Sequence, residues 1–316
     1  IPGNFKSTLE TIKAAEGLPI HLTHIQFHSY GNNGDRGFSS ASAEITEQLN
    51  KVPNLTCDVG QIMFGQTVTM SGDSMSQYKN HKHAHPKKWL CMDIECDAGC
   101  GVVPFKYQDK SFVNALQWAI GLETFLLAED ANKIFLTTDH PNGGPFTSYP
   151  HLIKLLMDKT FRDDLLDQMS IDISSHTILK DIKREYTLDE ISIMTRSAPA
   201  NILGLENKGS LSPTADADIT IYNNNVSDIE EMFAHPTHVI KDGVLVVKNG
   251  VIKDYIWGKT QVVRPEYDSS IEKKLDQHFK KFNTIGLSNY VISNDEMSEV
   301  IGSDININDC VHKRIS

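Results

Sequence analysis

Residues 135–146 read FLTTDHPNGGPF, an apolar run that ends in Asp139-His140 and breaks at once into turn-forming residues. The segment Lys133–Thr138 (KIFLTT) is typical of a short buried strand, because it is apolar and β-branched and is followed by Pro, Asn and Gly. A carboxylate that ends such a strand has no packing role, so it needs a cation or an exchangeable proton. The pattern makes Asp139 a candidate functional residue.

Strands and helices alternate on the N-terminal side of this stretch. The sequence predicts helices at Lys6–Glu16 and at about Ser40–Leu49, and strands at Leu18–Phe27 (LPIHLTHIQF) and Leu55–Met63 (LTCDVGQIM). This strand–helix–strand rhythm is typical of a parallel α/β sheet.

On the C-terminal side the pattern changes from helices to hairpins. Helices are predicted at Ser111–Ala128, Tyr149–Asp158, Leu188–Leu205 and Ile271–Lys281. Short strands are predicted at Asp218–Tyr222, Thr237–Lys241, Val244–Lys248 and Val251–Ile256. The turns Lys241-Asp242-Gly243 and Asn249-Gly250 favour antiparallel hairpins, so a small β domain is predicted to begin near residue 210.

Bulk properties exclude several classes of protein. The 316 residues are 40% hydrophobic and carry a formal net charge of −11, which argues against a nucleic-acid surface. The sequence has no apolar run of about 18 residues, so we expect no membrane span. Five cysteines (Cys57, Cys91, Cys96, Cys100 and Cys310) in a long chain favour a reducing, cytoplasmic location over a disulfide framework.

His24 and Asp139 form the strongest candidate site. Each lies at the C-terminal end of a predicted parallel strand, and in a (β/α)8 barrel the active site forms at the rim where such strands end. An imidazole and a carboxylate delivered to one rim are suitable ligands for a cation such as zinc. The alternative is structural: a buried, hydrogen-bonded histidine and an aspartate that caps the next turn.

Three segments, in the same order, resemble signatures of the amidohydrolase superfamily. Residues 20–25 (IHLTHI) resemble its sixth barrel strand, residues 134–141 (IFLTTDHP) its eighth, and residues 195–222 (TRSAPANILGLENKGSLSPTADADITIY) the junction into its small β domain. Residues 235–250 resemble the following hairpin. The implied fold is α/β: residues 1–209 hold strands six to eight of a (β/α)8 TIM-type barrel with an insertion, residues 210–263 a small β-sandwich-like domain, and residues 264–316 an α+β C-terminal extension.

Longer segments resemble one family within the superfamily, the large amidohydrolase-type subunit of formylmethanofuran dehydrogenases. They are residues 21–31 (HLTHIQFHSYG), 113–127 (VNALQWAIGLETFLL) and 137–163 (TTDHPNGGPFTSYPHLIKLLMDKTFRD). The resemblance runs from residue 1 to about 222, and more loosely to the end. It covers only the C-terminal half to three-fifths of the chain typical of that family.

The resemblance implies roles for two residues. His24 matches the sixth-strand histidine that binds a catalytic zinc, and Asp139 matches the eighth-strand aspartate that contacts metal and shuttles a proton. The superfamily takes further ligands from a His-x-His on strand one, a lysine on strand four and a histidine on strand five, none of which is present here. We therefore expect this chain to be a fragment whose metal site is incomplete and binds metal weakly. Two zinc ions are expected only in a full-length protein.

Several nearby residues are weaker candidates. His140 and Asn142 follow Asp139, so they are candidates for orienting the metal ligands or for contacting the substrate; the alternative is a solvated turn. His28, four residues after His24, is a candidate for a position near the site. His21 is expected to be structural, because its odd offset from His24 turns it to the opposite face of a strand. We expect the histidine run at 81–85 to be a surface insertion, and the spacing of Cys91, Cys96 and Cys100 matches no common metal site.

The function implied is zinc-dependent interconversion of formylmethanofuran with formate and methanofuran, in archaeal one-carbon metabolism such as methanogenesis. The implied partners are other subunits of the dehydrogenase, one of which carries a molybdenum or tungsten cofactor, with methanofuran as the small-molecule substrate. Two alternatives stay open: a cyclic-amide hydrolase of the dihydroorotase or hydantoinase kind, and a non-catalytic scaffold subunit.

Overall fold

The computed structural model describes residues 2–71, 101–169, 173–282, 286–291, 293, 295 and 305–310. Up to residue 135 its regular elements are α1 (Phe5–Ala14), β1 (Ile20–Leu22), β2 (Tyr30–Gly31), β3 (Ser39–Ser40), α2 (Ser42–Lys51), β4 (Leu55–Asp58), β5 (Gly65–Ser71), β6 (Gly101–Tyr107), α3 (Phe112–Leu127) and β7 (Ile134–Phe135).

The remaining elements are mostly helices, followed by a group of short strands. They are α4 (Tyr149–Met157), α5 (Lys159–Gln168), α6 (Leu188–Ser192), α7 (Ala198–Ile202), β8 (Ile219–Ile221), α8 (Ile229–Ala234), β9 (His238–Lys241), β10 (Val244–Lys248), β11 (Val251–Ile252), β12 (Thr260–Pro265), α9 (Ile271–Phe282) and β13 (Ile305–Cys310).

Strands β1, β4 and β7 form a parallel sheet with β4 in the centre. Leu22 lies opposite Cys57, and Cys57 lies opposite Ile134. Because the strands are parallel, their C-terminal ends share one edge of the sheet, where α/β folds commonly bind ligands. The α/β class is therefore confirmed, whereas the partial (β/α)8 barrel stays a prediction, since three strands do not define a barrel.

The first strand is much shorter than predicted. Hydropathy predicts a strand over Leu18–Phe27, but β1 ends at Leu22 and residues Ile25–His28 form a 3-10 helix. His24, between them, has a left-handed backbone with φ of 52°. Hydropathy could not detect this end, because Ile25 beyond it is only 1% exposed and extends the apolar pattern.

The other two parallel strands also end early. β4 ends at Asp58, not at Met63 as predicted, and β7 covers only Ile134–Phe135 of the predicted Lys133–Thr138. The chain beyond each end stays buried in irregular structure, so its apolar residues resemble strand residues in the sequence. The early ends leave Asp58 and Asp139 at the edge of the sheet.

Helix α3 forms the centre of the hydrophobic core. All its residues from Asn114 to Leu126 are buried, and Trp118 is only 1% exposed. A helix that is apolar on all sides is stable only when surrounded by protein, and α3 packs against α2, α4 and the 3-10 helix at Ile25–His28. The core thus supports the segment that follows His24.

A buried carboxylate on α3 binds segments that are distant from this helix in the sequence. Glu123 is fully buried and accepts hydrogen bonds from the hydroxyls of Ser40, Ser42 and Thr177 and from the backbone N–H of Ile178. Buried charge is costly unless it is hydrogen-bonded. Four donors satisfy this carboxylate, and they hold two loops against the helix.

The predicted helix at Leu188–Leu205 is interrupted. α6 starts with a capping box at Thr187 and Glu190 and ends at Ser192, a π-helical turn covers Ile193–Ser197, and α7 follows. Such turns are rare insertions into α-helices, so periodicity alone predicted one continuous helix.

The small β region is a four-stranded antiparallel sheet in the order β11–β10–β9–β8. All four strands lie within the predicted strand segments, and β10 matches its prediction in full. Contacts divide the described chain into two compact units, and residues 2–69, 104–169 and 173–253 belong to the first. The three-part division at residues 210 and 264, with its sandwich-like middle part, stays a prediction.

The second unit contains the C-terminal elements from residue 254 onwards. β12 and β13 pair in parallel, with Thr260 opposite Ile305, and the amphipathic helix α9 lies between them in sequence. The α+β extension from residue 264 stays a prediction.

Two further findings concern predictions from the sequence. Among the described helices, none has both the length and the apolar character needed to cross a bilayer. The histidine run at 81–85 and Cys91, Cys96 and Cys100 lie outside the described residues.

Gly121 of α3 gives a test of the core packing. A Cβ atom there would lie 2.0 Å from Gln61 Oε1 and 2.6 Å from Gln26 Oε1. We expect Gly121→Ala to destabilise the protein by about 1–3 kcal/mol through overpacking, although Gly→Ala normally favours a helix. The urea midpoint measures this. Gly258→Ala is the control, since nothing lies within 4 Å of its new Cβ; equal midpoints for both variants would contradict the packing.

Candidate active site

Three side chains with acid–base chemistry meet at the C-terminal edge of the parallel sheet. Asp58 is the last residue of β4, His24 follows the end of β1, and Asp139 follows β7. His24 Nε2 lies 3.0 Å from Asp139 Oδ1, and His24 Nδ1 lies 2.6 Å from Asp58 Oδ1. The prediction that His24 and Asp139 share one edge is confirmed, and Asp58 is an addition that the sequence analysis missed.

The two carboxylates bind opposite sides of the imidazole ring. Hydrogen bonds to Asp139 and to Asp58 raise the pKa of His24 from 6.5 to about 10. Partial burial alone would lower that pKa, because it disfavours the charged ring. The geometry therefore stabilises an imidazolium between two carboxylates, unless a cation takes the place of its proton.

Asp58 has the richest set of hydrogen bonds at the site. Besides the ring of His24, its carboxylate binds His21 Nε2 at 3.2 Å, the hydroxyl of Thr137 at 2.8 Å and the backbone N–H of His24 at 3.1 Å. Burial alone would raise the pKa of Asp58, but these bonds outweigh it and hold the pKa well below its usual range. Asp58 is thus a permanent anion that orients the imidazole.

Asp139 has a second partner on its own loop. Asn142 Nδ2 donates to Asp139 Oδ2 at 2.6 Å, while Oδ1 faces His24. Desolvation would raise the pKa of Asp139, but the bonds from His24 and Asn142 lower it overall. The side chain of Asp139 is 27% exposed to solvent, so one face of the carboxylate stays open to a reacting molecule.

His21 lies closer to the site than its sequence offset predicts. The pleat of a regular strand would turn His21 away from His24, but His24 lies beyond the strand end in a left-handed conformation. Both rings therefore contact Asp58, and His21 also bonds Thr56 and stacks on Phe135. The predicted opposite orientation is wrong, although the contacts of His21 agree with a structural part.

The three weaker candidates, Asn142, His140 and His28, have different contacts. Asn142 contacts Asp139 as described, whereas His140 Nδ1 accepts a hydrogen bond from the backbone of Phe146 and its ring packs against that side chain. His28 ends the 3-10 helix that follows His24. Desolvation lowers the pKa of His28, and the positive charge of His24 adds to this effect.

Two glycines allow the loops to approach each other. A Cβ on Gly60, at φ of +66°, would lie 2.8 Å from His24 Cβ. A Cβ on Gly143 would lie 2.4 Å from the carbonyl oxygen of Thr138. The segments after β4 and β7 therefore pack against each other and against His24 only because these positions lack side chains.

The arrangement has the donor chemistry of a metal site. His24 Nε2 and Asp139 Oδ1 converge on one point, while Nδ1 donates to Asp58, the usual way in which a carboxylate orients a metal-binding histidine. Asp58 lies on the far side of the ring and is therefore an orienting group. Two converging donors are one fewer than a catalytic zinc usually takes from protein.

A second acidic cluster lies in the four-stranded sheet region. Asp216, Asp218 and Asp242 form the one group of three potential metal ligands found among the described residues. Lys208 lies 2.8 Å from Asp216 and 2.6 Å from Asp218, and Lys241 lies 3.1 Å from Asp218. The lysines occupy the positions that a cation would take, so this cluster is an ion-pair network.

A family model described as the amidohydrolase family matches residues 2–247. The chain is 40% identical over 308 residues to FhcA of the formyltransferase/hydrolase complex of Methylorubrum extorquens, covering 96% of this chain and 56% of the relative. It is 38% identical over 316 residues to protein FwdA of Methanocaldococcus jannaschii, covering 93% of this chain and 55% of the relative. The chain thus spans little more than half the length of these curated relatives.

A solved structure has the same fold. It is the crystal structure of the formyltransferase/hydrolase complex FhcABCD from Methylorubrum extorquens with methylofuran, with a TM-score of 0.80 and 39% identity over 98% of this chain and 57% of the other. The family-model match over most of the chain places it in the amidohydrolase family. Within that class the chain belongs to the family of FhcA and FwdA, the amidohydrolase-type subunits of formylmethanofuran dehydrogenases and their relatives.

Gly60 gives a direct test of how His24 is positioned. We expect Gly60→Ala in the full-length protein to lower activity at least about tenfold, because the new methyl group displaces His24 and even a 1 Å misplacement can be that costly. Gly37→Ala is the matched control: its φ of +60° gives similar backbone strain, but nothing lies within 4 Å of the new Cβ. Steady-state kinetics compare the two. Equal activities would show that Gly60 does not position His24.

The charge state of His24 gives a second test, in metal-free protein. We expect nitrogen-detected NMR to find an imidazolium at pH 8, since the pKa is raised to about 10. A raised histidine pKa stabilises the fold fully below pH 6.5, and this stabilisation is lost as the pH rises through about 10. Asp139→Asn should lower the pKa and Asp164→Asn, on exposed helix surface, should not. A neutral ring at pH 8 would contradict the geometry.

Proposed function

We propose that this protein is a metal-dependent amidohydrolase acting on a linear formamide, and that it interconverts formylmethanofuran with formate and methanofuran. The observation that carries the proposal is the contact between His24 Nε2 and Asp139 Oδ1 at 3.0 Å, with Asp58 on the other ring nitrogen. The kinship with FhcA and FwdA supports the choice of substrate.

Zinc is the proposed metal, and a full-length protein is expected to hold two. His24 Nε2 and Asp139 would contribute ligands, and the remaining ones would come from parts of the protein outside the described site. When bound, zinc supplies Lewis-acid polarisation of the formyl oxygen and makes water more acidic, to a pKa near ~7.

The residues of this chain have separate tasks in the proposed reaction. Asp139 accepts a proton from the attacking water at a carboxylate oxygen and returns it to the leaving amine nitrogen. Its lowered pKa keeps it ionised at neutral pH, as this first step requires. Asn142 holds the other oxygen, and Asp58 fixes the ring of His24 by accepting from Nδ1.

The proposed setting is a multisubunit enzyme in the cytoplasm. The related FhcA occurs in a complex of four named subunits, FhcABCD. By analogy we propose that this protein binds other subunits of a formylmethanofuran dehydrogenase, one of which carries molybdenum or tungsten, in the one-carbon metabolism of archaea.

The alternatives have less support. A dihydroorotase- or hydantoinase-like activity would fit the site geometry, but the relative FhcA belongs to a formyltransferase/hydrolase complex. A non-catalytic scaffold role would give no function to the contacts of His24 with Asp58 and Asp139.

The decisive variant is Asp139→Asn in the full-length protein. It keeps the shape of the side chain but cannot accept the proton, so we expect the kcat for formylmethanofuran hydrolysis to fall by about 10²–10⁴-fold. Zinc content, measured by plasma mass spectrometry, should stay close to that of the wild type, since an amide oxygen can still contact the ion. Asp164→Asn is the control and should keep full activity.

Three outcomes separate the hypotheses. Full activity of Asp139→Asn excludes its part in proton transfer. Hydrolysis of dihydroorotate or hydantoin, but not of formylmethanofuran, by the wild type identifies a cyclic-amide hydrolase. A wild type with no hydrolytic activity on any of them supports the scaffold.

A further inference from the structure

Two glutamine side chains lie fully buried in the segments that carry the candidate active site. Gln26 belongs to the 3-10 helix that follows His24, and Gln61 lies three residues after Asp58. A buried amide is costly unless its polar atoms are hydrogen-bonded, and apolar side chains of similar size would fill the same space. No step of the proposed reaction uses these amides, so their use must come from the groups that they bind.

Gln26 connects the segment of His24 to the segment of Asp58. Its backbone N–H donates to the carbonyl oxygen of Val59 at 3.2 Å. Its side-chain oxygen, Oε1, accepts from the backbone N–H of Ile62 at 3.1 Å. Both bonds lie beyond the point where β1 and β4 stop pairing. Gln26 therefore continues, past the end of the sheet, the connection that strand pairing provides inside it.

Gln61 connects the segment after β4 to the segment after β7 and to helix α3. Its backbone N–H donates to the carbonyl oxygen of Thr137 at 2.8 Å, two residues before Asp139. Its side-chain nitrogen, Nε2, donates to the carbonyl oxygens of Ile62 at 2.9 Å and of Trp118, on α3, at 3.1 Å. The segment after β4 is thus fixed both to the loop of Asp139 and to the buried helix of the core.

The two side chains meet at the backbone of Ile62. Gln26 binds its N–H and Gln61 binds its carbonyl oxygen, and these bonds fix the orientation of each amide, since a flip would bring donor against donor or acceptor against acceptor. In this orientation Gln26 Nε2 and Gln61 Oε1 have no hydrogen-bond partner within the described part of the chain. Such exceptions to full hydrogen bonding in a core are typical of functional sites.

The contact between His24 and Asp139 depends on the segment that the two glutamines hold. In the parallel sheet, β1 and β7 each pair with β4 and not with each other. His24 and Asp139 follow these two outer strands, yet their side chains lie 3.0 Å apart. The segment after β4 therefore lies between the two backbones that must stay in register, with Gln26 bound on one side of it and Gln61 on the other.

We propose that Gln26 and Gln61 are a pair of positioning residues, which clamp Ile62 and thereby keep His24 and Asp139 at reacting distance. The proposal rests on the proposed function, because it takes His24 and Asp139 to be the reacting groups. The glutamines act through the backbone and make no contact with the substrate. Their loss therefore affects the chemical step and not the binding of the substrate.

The test compares Gln26→Met and Gln61→Met with the wild type in the full-length protein. Methionine has a similar volume but cannot make these hydrogen bonds. We expect each substitution to lower the kcat for formylmethanofuran hydrolysis about 10- to 100-fold, because even a 1 Å misplacement of reacting groups is that costly. KM should stay unchanged, since a contact that matters only in the transition state changes kcat and kcat/KM equally.

Gln117→Met is the matched control for general damage to the core. Gln117 is a glutamine of α3 that is only 3% exposed and donates to the hydroxyl of Tyr30 at 2.9 Å. Its loss should lower the urea midpoint as much as the loss of Gln61, but should leave kcat unchanged. Kinetics are measured at a temperature at which circular dichroism shows every variant to be folded.

The double variant Gln26→Met/Gln61→Met tests whether the two residues act as a unit. Because either loss opens the clamp on Ile62, we expect the double variant to be no slower than about the slower single variant. Two independent effects would instead multiply in kcat.

A spectroscopic measurement tests the pair without turnover. In metal-free, histidine-labelled full-length protein, the NMR signals of the His24 ring report its contact with Asp139. We expect these signals to shift or broaden in Gln26→Met and Gln61→Met and to stay unchanged in Gln117→Met.

The outcomes distinguish the pair from the proposed function. Wild-type kcat in both glutamine variants, or an equal loss of kcat in Gln117→Met, overturns the pair even if Asp139→Asn behaves as proposed. Multiplying effects in the double variant overturn the shared clamp. A wild type without hydrolase activity overturns the proposed function; the positioning of His24 by the pair then stands if its ring signals change in the two variants alone, and falls if they do not.

Discussion

The carboxylate of Asp58 connects the ends of all three strands of the parallel sheet. It belongs to β4, the central strand, and binds His21 of β1, His24 after β1 and Thr137 after β7. A buried anion is costly unless its lone pairs are satisfied, so these three partners and the anion stabilise one another. Loss of any one contact would loosen the ends of two strands, and the position of His24 would be lost with them.

The left-handed conformations at the site follow from this constraint. His24 and Asp139 have φ values of 52° and 49°, which are uncommon for residues other than glycine. Such conformations persist only where the surroundings determine them, commonly at functional sites. Here the hydrogen bonds of Asp58 and Asn142, with the bare backbones of Gly60 and Gly143, leave little room for another arrangement. The imidazole and the carboxylate are thus held in a fixed relation before any ligand binds.

Opposite charges lie at neighbouring places in the first unit. Two anions lie at the sheet edge, and Lys106 lies in a neighbouring cavity, whose lining includes Pro141 and Pro145 of the loop after Asp139. The relatives are nearly twice as long as this chain.

The sequence by itself determined the α/β class, the three parallel strands, the main helices of the core, the hairpin region and the family. It also identified His24 and Asp139, because a polar residue after an apolar run is visible in one dimension. Asp58 lies inside the second predicted strand, Leu55–Met63, because the buried apolar residues beyond it hide the end of β4, so the same argument could not find it. Only the tertiary structure decided which groups meet: Asp58 lies 34 residues from His24, 37 from His21 and 79 from Thr137. It also decided where the strands end and how His21 is turned. The left-handed backbone at His24 lies just beyond the end of β1 and leaves no mark in hydropathy.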